Sequence, residues 1–346
     1  MFGWRKYMEK LKKRSIFTIA LLLTVGLTAN CGTKTSDYMK DTSVSISSLD
    51  SASVITSSSS LTSQNFGINN DTALNKSEDL SAIDKTSLDK SSQSENGFAF
   101  LNGDITSDDI VADYTEDIKN EIDKIAASGY TMEEEIAEVK RLSDKFDKLA
   151  EAAGTQYEMN ITSVWYFVIW DSELNSIWQR MNQATKDTIL EEERVWIKNR
   201  DRIAEKINEE NEKGSIFSLL VNTDRAMFAE NRSYILASLY AKDRGEKFEL
   251  PQREAVGNYL SSEDDSTLLI KYGMEAGSID ALLTITDKCE VAGKVTGDGD
   301  KLHFESNDGY VTGTIEYSWD GAVFKVDQSN NENLPANSSY MFDMAL

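Results

Sequence analysis

The feature that most constrains this chain is a change of hydrophobic period part-way along it. From Ser107 to about Arg244, apolar residues recur every three or four positions, the spacing of one face of an α-helix. From Leu268 onward they alternate in short runs between glycine-containing turns, the spacing of half-buried strands. The two periods cannot share one element, so the folded part is α+β, with a helical segment followed by a β segment. Residues 107–245 are expected to form an all-α antiparallel domain and residues 246–346 a small β-rich one.

Stop and start signals divide the helical part into five. Ser107 or Asp108 is expected to cap a helix carrying Ile110, Tyr114, Ile118, Ile122 and Ile125, which ends at Gly129. Thr131 with Glu134 forms a capping-box pattern before Ile136, Val139, Leu142, Phe146 and Leu149, and Gly154 breaks that stripe. A third helix from Gln156 carries Ile161, Val164, Trp165, Val168, Leu174, Trp178 and Met181. A turn is expected over residues 184–187, with Thr188 and Glu191 as the next capping box. The fourth helix then sets Trp196, Arg200, Ile203 and Ile207 on one face. Gly214-Ser215 opens a fifth, ending near Gly245. Four of the six tryptophans fall between Trp165 and Trp196, which places the hydrophobic centre there. The acidic runs Glu133–Glu135 and Glu191–Glu193 read as solvated helix faces.

In the β part the expected strands are 268–271, 281–286, 289–296, 302–305, 311–318 and 323–327, with Tyr340, Phe342 and Met344 alternating as a closing strand. Gly297-Asp298-Gly299-Asp300, Asp308-Gly309 and Asp320-Gly321 are hairpin-turn sequences. An antiparallel sheet or small barrel follows. Leu302 occupies a ligand position in any calcium-loop spacing built on Asp298 and Asp300, so turn chemistry accounts for those acids.

Ahead of the folded part lie two segments of other kinds. Residues 1–14 carry six basic residues and a single acid, and an uncharged apolar run from Ile16 to Ala29 follows, the order of a secretory signal over residues 1–30. The run is short of the roughly 20 residues a membrane span needs. The sequence Leu27-Thr28-Ala29-Asn30-Cys31-Gly32 resembles a bacterial lipobox, with Asn30 where Gly, Ala or Ser is usual. That resemblance implies cleavage before Cys31 and a lipid on its sulfur. Residues 31–106 read as a tether. Of the 65 residues from Cys31 to Glu95, 25 are Ser or Thr, too few apolar groups to offset chain entropy. As a coil they span roughly 45 Å.

Composition excludes several functions. One histidine, His303, rules out His-pair metal sites, and two cysteines, Cys31 and Cys289, rule out a zinc module or a disulfide framework. A net charge of −23 argues against nucleic-acid backbones and suits a cationic partner. No cofactor is implied.

The segment from Gln156 to Tyr240 resembles the LprI-type lysozyme inhibitors. The residues that carry the resemblance are Met159-Asn160, Asp171, Leu174-Asn175, Trp178, Leu190, Trp196-Ile197 and Arg200-Asp201, with Gly214-Ser215 and Arg232. The chain departs from the pattern at Thr162 and Ala204, where family members usually carry cysteines, which suggests a disulfide dropped as a unit. The resemblance implies a helical domain of an exported bacterial protein, a lysozyme-type partner, and a β-barrel after the helices. Independently of it, a hairpin between the third and fourth helices about residue 185 or 186 would set Asp171 against Arg200 and Asn175 against Trp196. Asp171, Asn175, Trp196, Arg200 and Asp201 then read as a clasp fixing helix register, or alternatively as a ligand pocket. Tyr310, Tyr317 and Trp319, beside the β turns, are the candidate partner contacts. The reading is a lipid-anchored binding protein without catalytic residues. The alternative is an interaction module of the cell envelope with no inhibitory role.

Overall fold

The computed structural model describes residues 106–110 and 113–346. The signal segment, Cys31 and the tether lie outside the described residues, apart from its last position, Thr106.

Five helices come first: α1 Thr115–Ala127, α2 Met132–Ala152, α3 Gln156–Arg180, α4 Gln183–Lys206 and α5 Phe217–Asp243. Their ends follow local chemistry. The Thr131/Glu134 capping box forms at α2, and a second one, Thr155 with Glu158, opens α3. Two expected starts are corrected. Residues 107–109 make only a 3-10 turn, and α1 begins at Thr115, whose amide donates to Asp113 Oδ1 at 3.0 Å. Tyr114 is drawn inward there, its ring 5.0 Å from Trp165 and 6.2 Å from Phe146. The turn between α3 and α4 is at Met181–Asn182, not 184–187, because the Asn182 side chain caps the Thr185 amide at 2.9 Å. Thr188 is therefore interior to α4, and its hydroxyl donates to Ala184 O.

α3 is the centre of this layer, with α1, α2 and α5 packed on it, while α4 rests on α5. Trp165, Trp170, Phe146 and Leu149 are fully buried between them. The acidic runs are not wholly solvated: Glu135 and Glu193 are buried, each against an arginine.

Nine strands follow: β1 Gly257–Leu260, β2 Thr267–Tyr272, β3 Ile279–Ile285, β4 Cys289–Thr296, β5 Lys301–Ser306, β6 Val311–Ser318, β7 Gly321–Ser329, β8 Ser339–Phe342 and β9 Met344–Ala345. Each of β2 to β8 pairs antiparallel with its predecessor, a continuous meander. β8 and β9 are separated by Asp343 alone, yet β8 pairs with β7 and β9 with β1. One bent strand thus joins the two edges and closes the sheet into a barrel. Alternation puts Tyr259, Leu283, Phe304, Ile315, Phe324 and Phe342 inside. Phe304 and Phe324 meet edge to face at 5.2 Å. Each ring covers a strand glycine: a Cβ at Gly293 would lie 2.6 Å from the Phe304 ring, and one at Gly313 would lie 2.7 Å from that of Phe324.

The closure is short on one side. β9 meets β1 through Tyr259↔Ala345 and Leu260↔Met344, and the following Leu346 exchanges two main-chain hydrogen bonds with Asn258 at 2.9 and 3.0 Å. The helices lie over that seam. Leu260, Met344 and Leu346 share an apolar cluster with Ile203, Ala204, Val221 and Phe228, and Asn231 Nδ2 donates to Ala345 O at 2.6 Å. The helical and β segments therefore share a core.

Candidate functional site

Three polar assemblies stand out, beginning with the clasp. Arg200 is 4% exposed, and its Nη1 donates to Asp171 Oδ1 at 2.6 Å while its Nε donates to Asp201 Oδ1 at 3.0 Å. Its guanidinium lies over Phe167 and Trp196, with 5.0 and 5.6 Å to the ring centroids. Asn175 Nδ2 donates to the main-chain oxygen of Asp171 at 2.7 Å and to its Oδ2 at 3.1 Å, tying the carboxylate to its own helix. Asp201 also meets Arg225 of α5 at 3.2 Å, and Arg225 continues to Glu205 at 2.9 Å. The assembly so links α3, α4 and α5. With the turn at Met181–Asn182, equal-arm hairpin register does not bring Asp171 to Arg200; the reach of the arginine and the rest of α4 on α5 do.

The buried Arg200 spends its Nη1 and Nε on two carboxylates and its face on two rings, the arrangement of a fastening between helices. Replacing Arg200 by Met is expected to cost about 1–3 kcal/mol, since Asp171 is partly exposed and can turn to water. A double-mutant cycle with Asp171→Asn, read from urea unfolding, should return a coupling of about 1–2 kcal/mol. A coupling near zero would show that the pair does not act as a unit.

A second assembly ties the helices to the barrel. Arg232 of α5, 4% exposed, donates to Glu193 Oε1 and Glu192 Oε1 of α4, both at 2.6 Å, and to Asp320 Oδ1 of the β6–β7 turn at 3.0 Å. The next residue back along that turn, Trp319, packs against Tyr234 at 4.7 Å and donates from Nε1 to Pro251 O at 2.7 Å. Arg253 lies over Trp319 at 5.2 Å and over Tyr259 at 5.4 Å.

The third is a hollow at one end of the barrel. A meander brings the β3–β4, β5–β6 and β7–β8 turns to the same end, and beside them lies a cavity of about 530 Å³. Its walls include Glu290, Asp308, Glu332, Asn307, Asn331 and Tyr310. Asp308 Oδ1 accepts from Ser306 Oγ at 2.6 Å and from the Tyr310 amide at 3.0 Å. These bonds, the serine's first, hold its carboxyl below the usual carboxylate range, so it stays ionised through mildly acidic pH. Tyr310 is 59% exposed at the rim. No Lys, Arg or His lines the hollow.

The three aromatic candidates therefore separate. Tyr310 faces solvent at the hollow. Tyr317 is half-buried, and its hydroxyl donates to Gly299 O at 2.6 Å. Trp319 is engaged at the seam between helices and barrel. Sequence reasoning passed over Arg232's partners, Glu135, Glu173 and the hollow. Spacing carried a signal for two of them. Glu193 is three residues before Trp196 and seven before Arg200, on the same face, and Glu135 is three after Met132 and four before Val139. The hollow is assembled from the start of β4 and the β5–β6 and β7–β8 turns, far apart in the chain, and has no local signature.

The class defined by these features is a five-helix layer fastened through the buried Arg232 to a closed antiparallel barrel with an acidic mouth. A family model described as Lysozyme inhibitor LprI matches residues 147–236, about a quarter of the chain. The match runs from the end of α2 through α3 and α4 into α5, and takes in the clasp residues and Arg232. No curated protein and no solved structure matches. Among the described residues no helix is long and apolar enough to cross a membrane.

Proposed function

We propose that this chain is an exported, lipid-anchored bacterial binding protein that captures and inhibits a cationic lysozyme-type cell-wall hydrolase. The observation that carries this is the match of α3, α4 and most of α5 to the lysozyme-inhibitor family model. The net charge of −23 supports a basic partner, because it steers such a protein on approach. Cys31 carries the lipid in this reading, and the polar tether holds the folded part away from the membrane. The chain itself catalyses nothing; it works by occupying its target.

Steering charge gives rate more than affinity, so a contact of larger energy is needed. The barrel hollow supplies one. Glu290, Asp308 and Glu332 offer carboxylates to a lysine or arginine of the partner, and Tyr310 offers an exposed ring beside them. The helices then act as the mount that holds the barrel shut.

The test is inhibition of cell-wall turnover by a basic lysozyme, with association measured at low and high salt. The association rate should fall by roughly tenfold or more as salt is raised. Tyr310→Ala and Glu290→Gln/Glu332→Gln should each weaken binding by about tenfold or more while leaving thermal stability unchanged. If no lysozyme is slowed by the whole chain at micromolar concentration, the inhibitor reading falls and an envelope interaction module replaces it.

A further inference from the structure

α3 carries a carboxyl group at one of its most buried positions. Glu173 is 0% exposed, and neither of its oxygens has a hydrogen-bond partner. Beside it Glu135 of α2, 1% exposed, takes both arms of Arg180 of α3: Nη1 donates to Oε2 at 3.0 Å and Nη2 to Oε1. Arg180 Nε is turned to Ser176 O at 3.1 Å, and the guanidinium lies 5.1 Å from the centre of the Tyr240 ring of α5. The cation therefore spends its fork on Glu135, and Glu173 is left without a donor.

One cation and two carboxyl groups in a dry site are neutral only when one carboxyl holds a proton. Burying a second, unpaired negative charge is far costlier than burying a neutral acid. The bidentate partner of Arg180 is the carboxyl that stays charged. The proton belongs to Glu173: burial first, then the charge of Glu135, lifts its carboxyl well above the ordinary value, and Arg180 opposes this only in part. The groups facing the site are Glu135 from α2, Arg180 from α3 and Tyr240 from α5.

We propose that Glu135, Arg180 and Glu173 form a proton-dependent latch that keeps α2 docked on α3 while Glu173 is neutral and loosens that interface when Glu173 ionises. The direction with pH follows from linkage. In the unfolded chain Glu173 ionises at about pH 4.3. The folded chain retains the proton above that, so folding takes up one proton and stability falls as pH rises. The contribution is full below the unfolded value and is lost progressively up to the folded one.

The test uses Glu173→Gln in the full chain, which removes the titration and keeps the shape. Between pH 5.5 and 7.5 the ratio of folding constants, variant over unsubstituted protein, should rise with pH, by at most about tenfold per pH unit. Over the same range, amide protection in α2 should fall in the unsubstituted protein relative to the variant. A ratio that stays constant with pH overturns the latch. Should the glutamine variant not fold, Glu173→Met, which also carries no proton, must show the same rising ratio, and a flat one is equally fatal.

Discussion

Replacing Arg232 by Met is expected to cost about 3–5 kcal/mol at pH 7, a large share of the stability of any domain. The side chain has little water around it and meets three carboxylates, two on α4 and one on the barrel turn. Methionine replaces the aliphatic stem but leaves Glu193, itself 4% exposed, without its cation. The pH dependence has a definite sign. Burial already raises the Glu193 carboxyl above its ordinary value, with Arg232 opposing the rise. Removing Arg232 raises it further, so the folded variant holds a proton that the unfolded chain releases. The deficit should therefore be largest at neutral pH and shrink toward about pH 3.5, where the carboxyl is mostly protonated in both states. Urea unfolding at the two pH values reads this directly. A loss under about 1 kcal/mol at pH 7 would mean that the node is solvated and the helices and barrel are held by their other contacts.

The second large effect is expected inside the barrel. Phe324→Ala should cost about 3–5 kcal/mol, because the ring fills the space above Gly313 and meets Phe304 edge to face. Gly313→Ala should be destabilising for the complementary reason, since its methyl would sit 2.7 Å from both the Phe324 ring and Lys325 O. The two substitutions share a space. The double variant should therefore lose less than the sum of the singles, the new methyl occupying part of the vacated volume while its approach to the carbonyl persists. Strict additivity in thermal or chemical unfolding would show that ring and glycine do not pack together.

Much of the architecture was legible where the signal is local. Turn sequences rich in Gly and Asp delimit β4 and β6 at their observed ends, and the Thr131/Glu134 box marks the start of α2. The misplaced turn between α3 and α4 has a plain cause: Thr188 and Glu191 copy a capping box, but Asn182 stands six residues earlier and caps first. β1 was missed because four residues with no alternation become a strand only by pairing with β2 and with the far end of the chain. The buried acids have a subtler cause. Hydrophobic periodicity treats Glu135, Glu173 and Glu193 as polar positions and reads solvent, whereas each lies on an inward face near an arginine from another turn or helix. Asp171 and Arg200 came together as expected, though through the packing of α4 on α5 and not through hairpin register.

The short seam between β1 and the last residues of the chain also bears on how the molecule can fail. Were α4 and α5 to lift, two strand edges would stand unpaired, each with backbone donors and acceptors ready for another chain. The bent segment from Ser339 to Ala345 could then pair with β7 and β1 of a neighbour as readily as with its own, giving an exchanged dimer or an open-ended chain of them. The helical layer, besides mounting the barrel, is in this sense its guard against polymerisation.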